Sequence, residues 1–233
     1  MTPQEIDFLA LSSYQRYKLM ASLIVPRPIA LVTTIDEAGV VNAAPFSMFN
    51  MVGEEPPLVM LSVNHRNSQG RLKDTASNIL RSHEFVVHLP DEGIAQAMHA
   101  CAVEAPAGVS ELDLSGLTPV PSRTVAVPGI AEAPVAFECV LHEHLENESR
   151  HVFFGRVKWL RVREGLVDTE TWRVRLQDYF PVARFGASFY VRTRDRFAIE
   201  GDAPQARSTP WGANARRVSA DTVMAVMKKE VTR

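Results

Sequence analysis

The sequence predicts a mainly β protein, a closed or split antiparallel barrel with helices inserted between strands. Three observations carry this. Short runs rich in branched residues recur at hairpin spacing through the first half. Two longer runs, 135–146 and 151–162, are separated only by "NESR", as antiparallel partners are. Stretches with helical periodicity are few and do not alternate with strands as a βαβ sheet requires.

The elements follow in order. "IALVTTID" (29–36) reads as a strand whose hairpin turn is set by Gly39. The run to residue 50 returns as one strand, and "GEEPP" (53–57) breaks the chain before a third strand, "LVMLSV" (58–63). Within 65–83, Leu72, Ala76 and Ile79 share one helical face. "EFVVHL" (84–89) is a strand, and 93–105 a short helix. Residues 106–134 are rich in Pro and Gly and read as an excursion from one domain rather than a linker. Phe137, Cys139 and Leu141 share a face of the strand that follows, and 179–190 is loop-like. A domain over 1–198 is expected, with an extension over 199–233. A helix over 219–231 would be capped by Ser219, with Val223, Met227 and Val231 as its apolar stripe.

Composition narrows the function classes. A chain of 233 residues with 46% hydrophobic and 22% charged residues can bury a sizeable core. A formal net charge of −2 supplies no field for nucleic acid or an anionic membrane, so neither partner is expected. Cys101 and Cys139 are too few for a disulfide framework and read as reduced thiols. The N-terminus lacks a basic signal-peptide region, and no apolar run reaches spanning length. A soluble, cytoplasmic protein is the expectation.

Several cradles are absent: no G-x-G-x-x-G, no P-loop, no G-x-S-x-G and no C-x-x-C. "HEH" places His142 and His144 on one face of a regular strand, but no further ligand is evident in the sequence. Two histidines on a solvent face is the simpler reading, and no metal site is expected.

The stronger constellation joins Ser62, Asn64, Arg66, Asn67, Ser68, Lys73, Asp74, Thr75 and Asn78 between a strand end and a helix start. Helix-start N–H groups, hydroxyls and a cation form a competent phosphate site. "VNAAPFSMFN" (41–50) departs from a plain core strand in a complementary way. Ala43 and Ala44 let a flat ring approach, Asn42 and Ser47 offer polar groups to its edge, and Phe46 or Phe49 packs near it. A polar-edged ring beside a phosphate pocket describes flavin mononucleotide, one possibility among several on these residues alone.

The sequence resembles the flavin reductase-like proteins with the FMN-binding split-barrel fold, over roughly residues 17–195. The resemblance rests on "VPRPIALVTTIDEAGVVNAAPFSMFN" (25–50), "PPLVMLSV" (56–63), "KDTASNI" (73–79), "EFVV" (84–87), "HVFFGRV" (151–157) and "YFPVARFGASFY" (179–190). It implies a six-stranded Greek-key split barrel with inserted helices, a homodimer, and FMN near the subunit interface. It implies that Asn42, Ala44, Pro45, Phe46, Ser47 and Met48 line the flavin ring. Ser62, Val63, Asn64, Ser68, Lys73, Asp74 and Thr75 would hold the ribityl chain and phosphate. His151 becomes the candidate catalytic residue, orienting nicotinamide or moving a proton. The implied activity is an NAD(P)H:flavin oxidoreductase, with NADH or NADPH as transient co-substrate and a partner monooxygenase as one acceptor. The alternatives are a carrier or reductase that retains its FMN, and a flavin-binding protein without turnover. Where relatives often carry a double glycine, "FGAS" has Ala187, expected to narrow the closing loop.

Overall fold

A computed structural model describes residues 3–197 apart from 67, 69, 107 and 187. The expected boundary at 198/199, the helix over 219–231 and the narrowing by Ala187 lie outside the described residues.

Seven strands form one antiparallel sheet: β1 (Ala30–Ile35), β2 (Val41–Phe46), β3 (Phe49–Glu54), β4 (Pro57–Asn64), β5 (Glu84–Leu89), β6 (Val135–Glu146) and β7 (Arg150–Val162). Their order is β2-β1-β5-β6-β7-β4-β3. The two end strands, β2 and β3, are consecutive in the chain and joined only by Ser47 and Met48. The sheet therefore curls until its edges approach, and the Ser62 N–H donates to the Met48 carbonyl at 2.9 Å near that seam. This is the mainly β split barrel that the sequence predicts.

The seventh strand is a departure from the six expected. The run 41–50 is two strands rather than one, because the chain crosses the barrel seam at residues 47–48. The same geometry accounts for Pro45. β2 pairs with β1 alone, Leu31 lying opposite Pro45. Along β2, the Val41 carbonyl accepts from Ser110 Oγ at 2.6 Å and the Ala43 N–H donates to Glu111 Oε2 at 2.9 Å. Odd-numbered residues thus turn their backbone groups away from β1, and a proline at 45 costs no ladder hydrogen bond.

Inside the barrel, Val32, Leu61, Val63, Phe85, Cys139 and Phe153 are fully buried. A Cβ on Gly155 would lie 2.3 Å from Phe85 Cζ, so only glycine lets β7 pass over that ring. His88 in β5 bridges the barrel to the excursion: its Nδ1 lies 2.9 Å from the Leu31 carbonyl, and its Nε2 accepts from the Ile130 N–H at 2.9 Å.

Among the described residues, four α-helices decorate the barrel: α1 (Ser13–Leu23), α2 (Asp74–Ser82), α3 (Ala95–Ala100) and α4 (Glu111–Ser115). α1 was not expected, although Ser12 and Gln15 form a reciprocal capping box at its start. α2 is shorter than its apolar periodicity suggests. The left-handed Gly70 at φ 76° and an Arg66–Leu72 bridge precede it instead. α4 lies within the expected excursion, and the closing stretch contains a strand, Val182–Arg184, paired with Arg27–Pro28 and Tyr190–Arg192. Among the described residues, no helix is long and apolar enough to cross a membrane.

Candidate functional site

A cleft of about 860 Å3 opens beside the barrel seam, within the range of small-molecule sites. Its floor is β2 with the crossing residues: Asn42, Ala44, Pro45, Phe46, Ser47 and Met48 all line it. Ser62 and Asn64 enter from β4, and Lys73, Asp74 and Thr75 from the start of α2. The facing wall is residues 101–106 after α3 with Gly108 and Val109, and Tyr17 of α1 and Arg150 of β7 complete the rim.

The polar floor residues are fixed from behind. Asn42 Nδ2 donates to Thr75 Oγ1 at 3.0 Å, tying the floor to α2. Arg27 Nε donates to Ser47 Oγ at 3.3 Å, and its guanidinium also donates to the carbonyls of Ala21 and Ile24 at the end of α1. Glu111 is buried under Ala43, and that burial raises its pKa above the ordinary carboxylate value. Ser110 and Glu111 cover the outer backbone groups of an edge strand that would otherwise be open to pairing.

Lys73, Asp74 and Thr75 stand where the first N–H groups of α2 have no intrahelical partner. Beside them, a carboxylate of the chain itself fills this corner. Glu104 accepts from Lys73 Nζ at 2.7 Å, from the Ser68 N–H at 3.3 Å and from Ser68 Oγ. Those bonds, the lysine's first, pull its pKa down to about 2. Ammonium, hydroxyl and backbone N–H converging on one oxyanion are the donor set a phosphate monoester uses, so the residues fit the phosphate of FMN.

Three other expected residues do not line the cleft, and Ser68 meets it only through Glu104. Val63 is buried in the barrel core, because strand alternation turns it away from the cleft that Ser62 and Asn64 face. His151 is not brought to the cleft within this chain. It is only 2% exposed, and its ring stacks between His65 at 4.6 Å and His144 at 5.1 Å, centroid to centroid. Burial chiefly lowers its pKa, keeping the ring neutral.

The sequence reading missed Tyr17, Arg150 and Glu104. Arg150 precedes His151, so alternation alone sends it to the opposite face, toward Asn64 and the cleft. Burial pulls its pKa below the ordinary guanidinium value. Glu104 reaches Lys73 across 31 residues of chain, and no local pattern announces it.

The chain belongs to the flavin reductase-like domain family, whose profile matches residues 20–180. An uncharacterised protein of Bacillus subtilis, YwrF, is 39% identical over 195 residues, covering 81% of this chain and 94% of its own. One from Aquifex aeolicus is 42% identical over 176 residues, covering 76% and 89%. Among solved structures, nitrilotriacetate monooxygenase component B of Bacillus cereus is similar at TM-score 0.80 and 33% identity, over 85% of this chain and all of that one. The 2-nitrobenzoate 2-nitroreductase NbaA of Pseudomonas fluorescens is similar at TM-score 0.78 and 37% identity, over 90% of this chain and all of that one.

Proposed function

We propose that the protein is an FMN-binding oxidoreductase that takes hydride from NADH or NADPH. The observation that carries this is the pairing of a ring-sized floor, Ala44 to Met48, with an anion corner at Ser68 and Lys73 that already holds a carboxylate. When bound there, FMN supplies the hydride-accepting chemistry.

The chain's own residues bind and orient. Ala44 and Pro45 give the ring close access to the backbone, while Asn42 and Ser47 present polar groups to its edge. Lys73, Ser68 and the N–H groups opening α2 neutralise the phosphate, and Glu104 withdraws as the phosphate enters. Arg150, desolvated at the rim, adds positive charge for the second, anionic nucleotide. A cleft that held flavin and nicotinamide together would spare the reactants a further encounter, the largest advantage it could offer. Val63 contributes at most backbone, and His151 acts on nicotinamide only if a second copy completes the site.

The homologous structures named above include a monooxygenase component and a nitroreductase. Reduced flavin handed to a partner monooxygenase and electrons passed to another acceptor by retained FMN are the two routes that this reading admits. A homodimer is part of this reading. Met20 and Leu23 of α1, Ile24 just after it and Met51 of β3 are exposed apolar groups that a second copy would cover. The test is anaerobic addition of NADH, then NADPH, to FMN-loaded protein. Bleaching of the flavin bands supports a reductase, and bands that persist with both nucleotides refute it.

A further inference from the structure

The HEH motif and His151 form a cluster that does not line the flavin cleft of this chain. The sequence places His142 and His144 on one strand face, but the structure separates them. Between Phe154 and Gly155 the β6–β7 register shifts, with Glu143 opposite Phe154 and Leu141 opposite Gly155. His142 is the extra residue of this bulge, and a bulge re-aims its side chain. Its ring is exposed and lies 3.1 Å from an Arg156 nitrogen. His144 turns inward, its Nε2 2.9 Å from His151 Nδ1.

The ligands missing from the sequence pattern arrive from neighbouring strands. β7 lies between β4 and β6, with His151 opposite Val63 on one side and Glu146 on the other. His65 follows the end of β4. His65, Glu146 and His151 each present one ligand atom, and these atoms lie within 4.8 Å of one another. Hydrogen-bonded strands thus bring together residues far apart in the chain.

A second observation points to a ligand. His151 Nε2 is buried and has no hydrogen-bond partner, a rare state for a ring nitrogen. In the tautomer in which Nδ1–H donates to His144, the Nε2 lone pair is bare. An imidazole whose other nitrogen is held by an outer partner is the usual arrangement of a metal-ligating histidine.

From this geometry we infer a site for a divalent transition-metal ion, zinc by chemical class, held by His65, Glu146 and His151 with His144 as the outer partner. Two imidazoles and a carboxylate suit zinc, whereas calcium and magnesium take oxygen sets. Zinc–ligand bonds of about 2.0–2.2 Å put tetrahedral ligand atoms about 3.4 Å apart, so the cluster closes on binding. The side chains that move are free to do so: His65 is 22% and Glu146 53% exposed. Their present contact, Nε2 to Oε1 at 2.6 Å, gives way to two bonds to the ion, the proton on Nε2 passing to Nδ1 of the same ring or to solvent. The ion would pin strand ends whose opposite faces carry Asn64 and Arg150 into the cleft.

The test uses full-length protein stripped with chelator and dialysed against Zn2+, with metal per chain measured by mass spectrometry and thermal unfolding followed with and without Zn2+. Wild type should take up one zinc per chain and gain thermal stability from it. His65→Ala and Glu146→Gln, at partly exposed positions, should keep the metal-free melting temperature while zinc affinity falls at least tenfold. Uptake well below one zinc per chain overturns the site. So does wild-type affinity in either variant, or zinc uptake that leaves melting unchanged.

Discussion

His88 gives the fold a pH dependence whose size follows from its surroundings. The ring is wholly buried, with one nitrogen at the Leu31 carbonyl and the other accepting the Ile130 N–H. Protonation would set a second N–H against that of Ile130, and Arg161 donates to the Ile130 carbonyl close by. Burial, above all, pushes the His88 pKa down from 6.5 to about 4; the Leu31 carbonyl opposes the shift and the Arg161 charge adds to it. The unfolded chain takes up this proton near pH 6.5 and the folded chain only near pH 4. The neutral ring's contribution is therefore complete above pH 6.5 and is lost as pH falls toward 4. At about 1.4 kcal/mol per pKa unit, the loss is about 3 kcal/mol, a large fraction of the 5–15 kcal/mol typical of a domain. Urea unfolding from about pH 7.5 to 4.5, compared between wild type and His88→Gln, isolates it from the carboxylates. The variant keeps a donor and an acceptor but cannot titrate. It should lose about 1–3 kcal/mol at neutral pH through imperfect geometry and show a correspondingly flatter pH slope. Parallel slopes for the two proteins would refute the reasoning.

Other positions give sharper local tests. Gly155→Ala must displace the Phe85 ring, since its Cβ would fall 2.3 Å from Cζ. It should cost about 1–3 kcal/mol in urea unfolding, part of which Phe85→Leu should restore. Glu104→Gln removes the carboxylate that occupies Ser68 and Lys73, so FMN should bind more tightly in a fluorescence titration while riboflavin binds as before. The Asn42→Ala, Ser47→Ala double variant should purify with most of its flavin lost; full occupancy would remove the floor from the flavin site.

How much of this was legible in the sequence depended on the range of the interactions involved. Alternation and turn chemistry are local, so the strands around 30–35, 58–63 and 84–89 and the long β6–β7 pair follow from residue order. The break at residues 47–48 is not local. Nothing in "PFSMFN" says that the barrel's two edges meet there, and the Ser62–Met48 bond that marks the seam joins different strands. The polar residues of 41–48 and 73–75 were readable as a site because they sit where a strand or helix face would otherwise be plain. Glu104 and Arg150 were not, since tertiary placement alone gives them meaning. The bulge at His142 shows the converse: a motif that looks complete in sequence is parted by one extra residue.

The central claim is that the cleft holds a flavin with its phosphate at Ser68 and Lys73. Titrating Lys73→Ala and wild type with FMN and with riboflavin tests it most directly, because the two ligands differ only by the phosphate. Loss of a charge-assisted bond, about 1.5–3 kcal/mol, predicts FMN binding weakened by about tenfold or more with riboflavin within twofold of wild type. Equal losses for both ligands, or none for either, would place the phosphate elsewhere and contradict the account.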